Sequence, residues 1–382
     1  MLAYRLSLAL FACIPFTTSQ ATRPSHHITS ETKWTNDPQR AFFLDNAWHL
    51  SYLYNTDFNI SNNPESSGTS WYHVTSTDMV HWTHHGVANH HKIPTQSAPT
   101  ASSWVTSKLA GAVVDAENTA DLWRQGKHCV LNRKWDGKAF TAADAEPQLM
   151  DKRPDFYATV SWNVPKDDDI YDSRYAIVWM NNWEYANSVP YYGDFAGQTS
   201  MVREVKLQTI KDTPTLVSKP IVGYGGIFDS AKCVSNKTIT TDPESASLPS
   251  DLTDDAYVIC ATISKTNDSG DGNEVRFRTK TDGSFSTTIV PGVELRDSDG
   301  SATESMPSEK AYAVATAPNP SGSNTVKLEI YVDSNSVEVF VDDGVAVLSG
   351  LDYPNKAAKG VQVVSDTGSL TLVSFSYAAY KA

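Results

Sequence analysis

The residues whose types and spacing best suit catalysis lie early in the chain, in the segment Trp34–Gln39 with the sequence WTNDPQ. Asp37 supplies a carboxylate, and Pro38 biases it towards an extended or turn conformation. A strand-like run, 41–55, follows directly. A carboxylate held at a strand end can act as the nucleophile or the charge stabiliser in hydrolysis of a glycosidic bond. Asn-Asp-Pro is also a common turn sequence. On these six residues alone, a structural turn is a better explanation than a catalytic carboxylate.

A second group of potential ligands is a run of histidines. It comprises His81, His84, His85, His90 and His91. Imidazole binds transition metals, but no Cys, Asp or Glu follows at a spacing typical of a metal site. The acidic segment 166–169 suggests calcium, although a solvated loop tip explains it better. The sequence therefore predicts neither a bound metal nor a cofactor.

Composition and charge narrow the class of protein. The chain has 382 residues, which is enough for one large or two ordinary domains. It contains 10 Trp and 17 Tyr, residues that suit strands and can stack on the apolar faces of sugar rings. The formal net charge is −13, which argues against a nucleic-acid partner or an anionic membrane surface. The sequence does not indicate an oligomeric state.

The N-terminus is typical of a secretion signal, which we assign to residues 1–21. Arg5 supplies the positively charged n-region, and residues 6–16 form a short apolar run. Ser19-Gln20-Ala21 fits the small-x-small cleavage pattern. The apolar run is too short to span a bilayer. Three N-glycan acceptor sequences, at Asn59, Asn236 and Asn267, agree with a secreted, extracellular protein.

Three cysteines remain after removal of the signal, which contains Cys13. In an oxidising compartment Cys233 and Cys260 are candidates for a disulfide. Cys129 is then the odd cysteine, and we expect it to be free.

The pattern of apolar residues predicts an all-β protein with two domains. Residues 22–208 read as short strands between polar turns, without helical periodicity, as in a sandwich, barrel or propeller. In 209–382, Val326–Asp333 and Ser336–Val341 alternate with period two, and 342–344 closes a hairpin. The second domain is therefore predicted to be an antiparallel sandwich with one solvated face per sheet.

Seven stretches, in the order of that family, resemble glycoside hydrolase family 32, the β-fructosidases that include invertases, inulinases and levanases. They are Trp34–Pro38, Trp71–Trp82, Ala112–Thr119, Trp135–Phe140, Asp155–Ala158, Trp179–Trp183 and Leu328–Gly344. The resemblance implies a five-bladed β-propeller at 22–208 followed by a β-sandwich at 209–382. It also implies retaining hydrolysis of a terminal fructofuranosyl unit, with a fructan or sucrose-type carbohydrate as the partner.

The resemblance assigns roles to six residues. It implies that Asp37 is the nucleophile. It also implies that the fructose pocket is lined by Trp34, Asn36, Trp71, Tyr157 and Trp179. Packing in the core is the alternative explanation for the aromatic residues.

Two signatures of the family are missing. In the family, the Arg-Asp-Pro motif supplies a stabilising carboxylate and the Glu-Cys motif supplies the general acid/base. Both motifs belong between Leu122 and Trp135, and neither occurs there. Residues 22–208 are also too few for five blades at roughly 40–45 residues each. We therefore expect an incomplete propeller, truncated near 121–135, and at most trace activity. A sugar-binding protein without catalysis and an error in the gene structure are the alternatives.

The missing acid leads to a geometric expectation. A retaining glycosidase needs its two carboxyl groups roughly 5 Å apart. The nearest acidic candidates in the sequence are Glu117, Glu146 and Glu184. We predict that none of them faces Asp37 at that distance.

Overall fold

A computed structural model provides the structure of the protein. It describes residues 23–56, 58, 69–89, 129–130, 133–135, 140–142, 148–153, 155–163, 174–183, 186, 194–229, 232–240, 254–265, 273–279, 287–290, 294–297, 314–316, 325–351, 360–365 and 369–381. The predicted signal, the Asn59 and Asn267 glycan sites, the stretch 110–119 and the segment 166–169 lie outside these residues. The described chain is nearly all strand, as predicted, and none of its helices is long and apolar enough to cross a membrane.

The described residues before 221 form fourteen strands. They are β1 (Lys33–Pro38), β2 (Phe42–Leu44), β3 (Ala47–Asn55), β4 (Ser70–Ser76), β5 (Thr83–Asn89), β6 (Cys129–Val130), β7 (Arg133–Trp135), β8 (Phe140–Ala142), β9 (Gln148–Leu149), β10 (Tyr157–Asn163), β11 (Arg174–Trp179), β12 (Phe195–Ala196), β13 (Arg203–Ile210) and β14 (Thr213–Pro220). A short 3-10 helix, Val222–Ile227, follows them.

After that helix, the part of the chain that the structure describes contains eleven strands. They are β15 (Lys232–Thr240), β16 (Tyr257–Lys265), β17 (Asn273–Thr279), β18 (Thr287–Val290), β19 (Glu294–Asp297), β20 (Val314–Thr316), β21 (Thr325–Asp333), β22 (Ser336–Val341), β23 (Ala346–Leu351), β24 (Gly360–Ser365) and β25 (Ser369–Ala379).

The first sheet has the order β12-β1-β3-β4-β5, with β2 paired to β3. Along β3 the side chains of Trp48, Leu50, Tyr52 and Tyr54 are buried while their neighbours are half-buried, because successive strand residues point to opposite faces. Strand β12 lies parallel to β1 and brings residues 195–196 beside the segment that contains Asp37. A second sheet has the order β10-β11-β13-β14, and β6-β9 and β7-β8 form two-stranded ladders.

The C-terminal part is a sandwich of two antiparallel sheets. One has the order β15-β25-β16-β21-β22-β23 and the other β20-β19-β18-β17-β24. The predicted alternating strands are β21 and β22, and their hairpin register pairs Asp333 with Ser336. Ile330, Val339 and Leu348 lie in its hydrophobic core.

The expectation of one solvated face per sheet is wrong for β22. All six of its residues are buried, because its second face packs against the N-terminal sheets. A shared hydrophobic cluster there contains Leu50 and Ile177 from the N-terminal part and Tyr331 and Phe340 from the sandwich. The two parts therefore share a large apolar interface, which favours a fixed relative position.

The strand pairing supports a domain boundary later than the predicted residue 208. That position lies inside β13, which pairs with β14 along its whole length. The next strand, β15, belongs to the sandwich sheet. We therefore propose that the domain boundary lies between Pro220 and Lys232.

The predicted pairing of Cys233 with Cys260 is wrong. Cys260 is a free, exposed thiol. Strand β25 lies between β15 and β16, and Ser376 is the register partner of both cysteines, one on each side. Two strand spacings amount to roughly 9–10 Å between Cα atoms, which exceeds the reach of a disulfide. Only the backbone of Cys129 is described, so its free state stays a prediction.

Candidate active site

Asp37 lies where β1 departs from regular pairing. The register with β3 joins Thr35 to Tyr54 and Pro38 to Tyr52, which leaves one extra residue on β1. Such a bulge interrupts the ladder and changes the direction of the side chains that it contains. The sequence Asn-Asp-Pro suits it, because Pro38 has no N–H to donate to β3. The bulge thus directs Asn36 and Asp37 away from the regular strand pattern.

The carboxylate of Asp37 has an unusual environment. Its Oδ1 is buried and has no hydrogen-bond partner among the described residues. Burial raises the pKa of Asp37 to about 6, and a hydrogen bond from its own backbone N–H partly offsets this. The pKa of Tyr157 is also raised, first by burial and then by the nearby charge of Asp37. Asp37 and Tyr157 therefore share one polar site.

Aromatic rings surround this site. Trp34 on β1 and Trp179 on β11 are buried, with ring centroids 6.1 Å apart. Tyr157 meets Trp179 edge to face at 5.9 Å, and Trp183 lies 4.9 Å from Trp179. Trp183 is 44% exposed, so the cluster opens to solvent at this residue. An aromatic surface with an open edge suits the apolar face of a sugar ring.

Gly197 allows the strands to meet closely. Its φ is +81°, and a Cβ there would collide with the carbonyl oxygen of Thr35 and lie 3.3 Å from Nε1 of Trp179. Glycine is the residue that tolerates both the positive φ and the close approach. Gly197 therefore fixes the separation between β1 and the Trp179 ring.

The structure brings most of the predicted site residues together. Trp34, Trp179 and Tyr157 form one cluster, and Asn36 and Asp37 adjoin Trp34 on β1. Trp71 lies outside that cluster, on β4 and opposite Leu53, so its place in a sugar pocket stays a prediction.

Sequence reasoning did not assign Phe58 and Trp183 to the site. Phe58 packs 5.2 Å from Trp34, and Trp183 forms the open edge. Trp183 stands four residues after Trp179 in a stretch that resembles the family. That position could have indicated Trp183 as a site residue. Glu117, Glu146 and Glu184 lie outside the described residues, so the absence of an acid near Asp37 stays a prediction.

A buried ionic cluster lies between the two parts of the molecule, and we call it the interdomain clamp: His27, Asp151, Arg203, Asp333 and Glu338. His27 Nδ1 is 2.7 Å from Asp333 and its Nε2 is 2.9 Å from Glu338. Arg203 bonds to Glu338 and, at 3.0 Å, to Asp151. Burial alone would lower the pKa of His27, but these two carboxylates raise it to about 9. His27 is therefore an imidazolium held between two anions.

His26, His27 and Asp333 are close enough together to be considered as metal ligands. Asp333, however, already accepts hydrogen bonds from His27 and from the backbone N–H groups of Ser25 and His26. Both ring nitrogens of His27 face carboxylates. These contacts fit an ion-pair cluster better than a metal centre, which needs deprotonated ligands with free lone pairs.

Comparison with known proteins defines the class. The profile described as "Glycosyl hydrolases family 32 N-terminal domain" matches residues 27–114 and 111–220, and "Glycosyl hydrolases family 32 C terminal" matches 229–379. The chain belongs to glycoside hydrolase family 32, which confirms the resemblance and the assignment as a glycoside hydrolase. The interval between the two profiles, 220–229, agrees with the boundary proposed above.

Curated relatives include enzymes that act on fructans. The levanbiose-producing levanase of Bacillus subtilis (strain 168) is 25% identical over 495 positions, covering 91% of this chain and 89% of the levanase. The extracellular exo-inulinase of Aspergillus ficuum is 25% identical over 252 positions, covering 62% of this chain and 44% of the inulinase. Because the levanase alignment uses 91% of 382 residues, well over a hundred of its 495 positions have no counterpart in this chain.

Solved structures confirm the fold class. Exo-inulinase from Aspergillus awamori superposes with a TM-score of 0.71 at 16% identity, covering 96% of this chain and all of the inulinase. Sucrose-6-phosphate hydrolase from Lactobacillus gasseri gives a TM-score of 0.65 at 14% identity, covering 95% of this chain and 94% of the hydrolase. The architecture is that of a β-propeller followed by a β-sandwich.

Proposed function

We propose that this chain binds the terminal fructosyl unit of a fructan or sucrose-type carbohydrate, with Asp37 as the nucleophile of a retaining β-fructosidase. The observation that carries the proposal is the position of Asp37. Its carboxylate has a buried oxygen without a partner among the described residues, and its charge acts on Tyr157, whose ring packs against Trp179. The fructan substrates of the relatives support the choice of sugar.

The described groups suit the nucleophilic attack in the first half of such a reaction. An ionised Asp37 attacks the anomeric carbon, and the new ester bond forms as the bond to the leaving oxygen breaks. Oδ1 of Asp37 accepts no hydrogen bond from the described residues, which keeps it nucleophilic. Asn36 Oδ1 and Trp179 Nε1 are buried and unpartnered among the described residues, so they can accept from and donate to sugar hydroxyls.

Both halves of the reaction need a group that we propose is missing. In the first half the leaving alkoxide must be protonated, and in the second half the same residue must activate water. The chain has no Arg-Asp-Pro or Glu-Cys motif, and the alignment with the levanase leaves a long stretch without a counterpart. Loss of a general acid costs about 10²–10⁴ in rate, so we propose at most trace hydrolysis of natural substrates.

A sugar-binding protein without catalysis is the second candidate function. It is favoured by one combination of observations: the aromatic site is retained while the acid/base motifs are missing. In that case Asp37 accepts hydrogen bonds from sugar hydroxyls and forms no covalent bond.

Substrates with a leaving group that needs no protonation separate the two functions. We expect the purified chain to release fluoride from β-fructofuranosyl fluoride, because Asp37 can displace fluoride without an acid. Azide should accelerate turnover and give fructosyl azide, since this anion attacks the ester without a general base. Asp37→Asn should lose both reactions, and Asp45→Asn, in the turn between β2 and β3, is the matched control. Binding of fructose without fluoride release from the unmodified chain would favour the second function and contradict the first.

We also propose that the protein is secreted. The predicted signal at 1–21 supports this, as does a relative that is named extracellular. Expression with the native N-terminus should give a protein in the medium that begins at residue 22. Retention inside the cell with an intact N-terminus would contradict the proposal.

A further inference from the structure

Four aromatic side chains form a ladder across the outer face of the first sheet. We define the histidine ladder as Phe42 on β2, His49 on β3, His73 on β4 and His85 on β5. Successive ring centroids lie 5.0, 5.2 and 4.9 Å apart, with interplanar angles of 12°, 13° and 26°. The three imidazoles come from three adjacent strands and from positions 24 and 12 residues apart in the chain.

The central pair has the spacing of two ligands of one metal ion. His49 Nδ1 and His73 Nε2 are 3.0 Å apart. Two nitrogens bound to a tetrahedral Zn²⁺ at about 2.0–2.1 Å would be roughly 3.3–3.4 Å apart. A chelating pair therefore needs a slightly longer separation and a rotation of both rings, because the two nitrogens now point at each other and not at one common ion. The shared proton moves to the other nitrogen of its own ring, so two neutral imidazoles remain.

The third imidazole, His85, lies at a β-bulge. The register pairs Val74 with His84 and His73 with Gly86, so His85 is the extra residue on β5, and Gly86 has φ +88°. His84 stays near the inner face, against Tyr72, while the ring of His85 stacks on His73.

Thr75 draws the ring of His85 towards the central pair. Its Oγ1 is 2.7 Å from His85 Nε2, and Thr75 is itself the register partner of His49. At the far end Phe42 stacks on His49 and restricts the orientation of that ring. Burial lowers the pKa of His73, with smaller effects from His85 and His49, which favours the neutral ring that binds a metal.

We infer that the histidine ladder is a binding site for one divalent transition metal ion, ligated by His49 Nδ1 and His73 Nε2 and, after its ring leaves Thr75, by His85. Imidazole-only ligation suits Cu²⁺, Zn²⁺ and Ni²⁺, and Cu²⁺ should bind most tightly. Water fills the remaining positions. The ion connects β3, β4 and β5 and thereby stabilises the first sheet. The inference is independent of the proposed activity at Asp37.

Titration of the purified chain with Cu²⁺ tests the site, followed by electron paramagnetic resonance. We expect one equivalent to bind with nitrogen couplings from imidazole, and Zn²⁺ to compete for it and to raise the thermal midpoint. His49→Gln and His73→Gln should lose the coupled signal and the thermal shift. His85→Gln, at an exposed position where misfolding is not expected, should weaken Cu²⁺ binding at least about tenfold.

His81→Gln is the matched control, because His81 is exposed and bonds to Asp78, away from the ladder. It should leave the signal and the thermal shift unchanged. Binding of an adventitious ion only would appear as a signal that survives in the His49→Gln/His73→Gln double variant, or that His81→Gln removes equally. Either result would overturn the inference.

Discussion

His27 and Glu338 lie 311 positions apart in the chain and are joined by a buried hydrogen bond of 2.9 Å between Nε2 and Oε1. Glu338 also accepts from the guanidinium of Arg203 and from the backbone N–H of Met201. His27 stands ten residues before Asp37. The sandwich thus holds the segment that leads into β1. We infer that the sandwich, although outside the aromatic site, helps to position Asp37, the proposed nucleophile.

Removal of one charge from the interdomain clamp should be costly. Glu338→Gln leaves Arg203 and His27 buried with less compensation, and the loss of one partner of a buried pair typically destabilises by about 3–5 kcal/mol. Urea denaturation measures the effect. Glu204→Gln is the matched control, because Glu204 pairs with Lys206 at the surface and should change the stability by less than about 1 kcal/mol. Equal stabilities of the two variants would contradict the role given to the clamp.

The sequence predicted the hairpin of β21 and β22 correctly but not the environment of Glu338. Alternation along 326–341 gives the strands and the register, because period two is a local property. By the same alternation Glu338 reads as an outward residue on a solvated face. It is buried because Arg203 and His27, both distant in sequence, cover that face and neutralise its charge. No local pattern carries that information.

The cysteine error has a similar origin. Cys233 and Cys260 are close in sequence, but the chain inserts its last strand, β25, between the strands that carry them. At the candidate site, the resemblance to the family assigned roles to Asp37, Trp34 and Trp179, and these roles stay predictions. The bulge at Asn36–Asp37 and the positive φ of Gly197 depend on strand contacts and were not predicted.

The raised pKa of Asp37 predicts a dependence of stability on pH. The folded protein binds this proton more tightly than the unfolded chain, so the free energy of unfolding falls as pH rises from about 4 to about 6. Asp37→Asn removes the cost of the buried charge and should be more stable at pH 7, by up to about 3 kcal/mol for a shift of about two units. Urea denaturation at pH 4 and pH 7 checks this. A variant no more stable than the parent at pH 7 would show that Asp37 is not buried as an unpaired charge.

Gly197→Ala should disturb the aromatic site. A Cβ at this positive φ costs about 1–3 kcal/mol in backbone strain and forces Thr35 or the Trp179 ring to move. We expect lower stability and a changed tryptophan fluorescence spectrum. Gly225→Ala is the control, because a Cβ there has open space around it. If both variants kept the parental spectrum and stability, the close approach of β12 to β1 would be in doubt.

Release of fructose from levan, inulin and sucrose by the purified 382-residue chain, with Asp37→Asn alongside, tests the central claim most directly. The account holds that a nucleophile is present without its acid/base partner, so it predicts no more than trace release from each natural substrate. Robust release that disappears in Asp37→Asn would contradict it, because protonation of the leaving oxygen would then have a source within this chain.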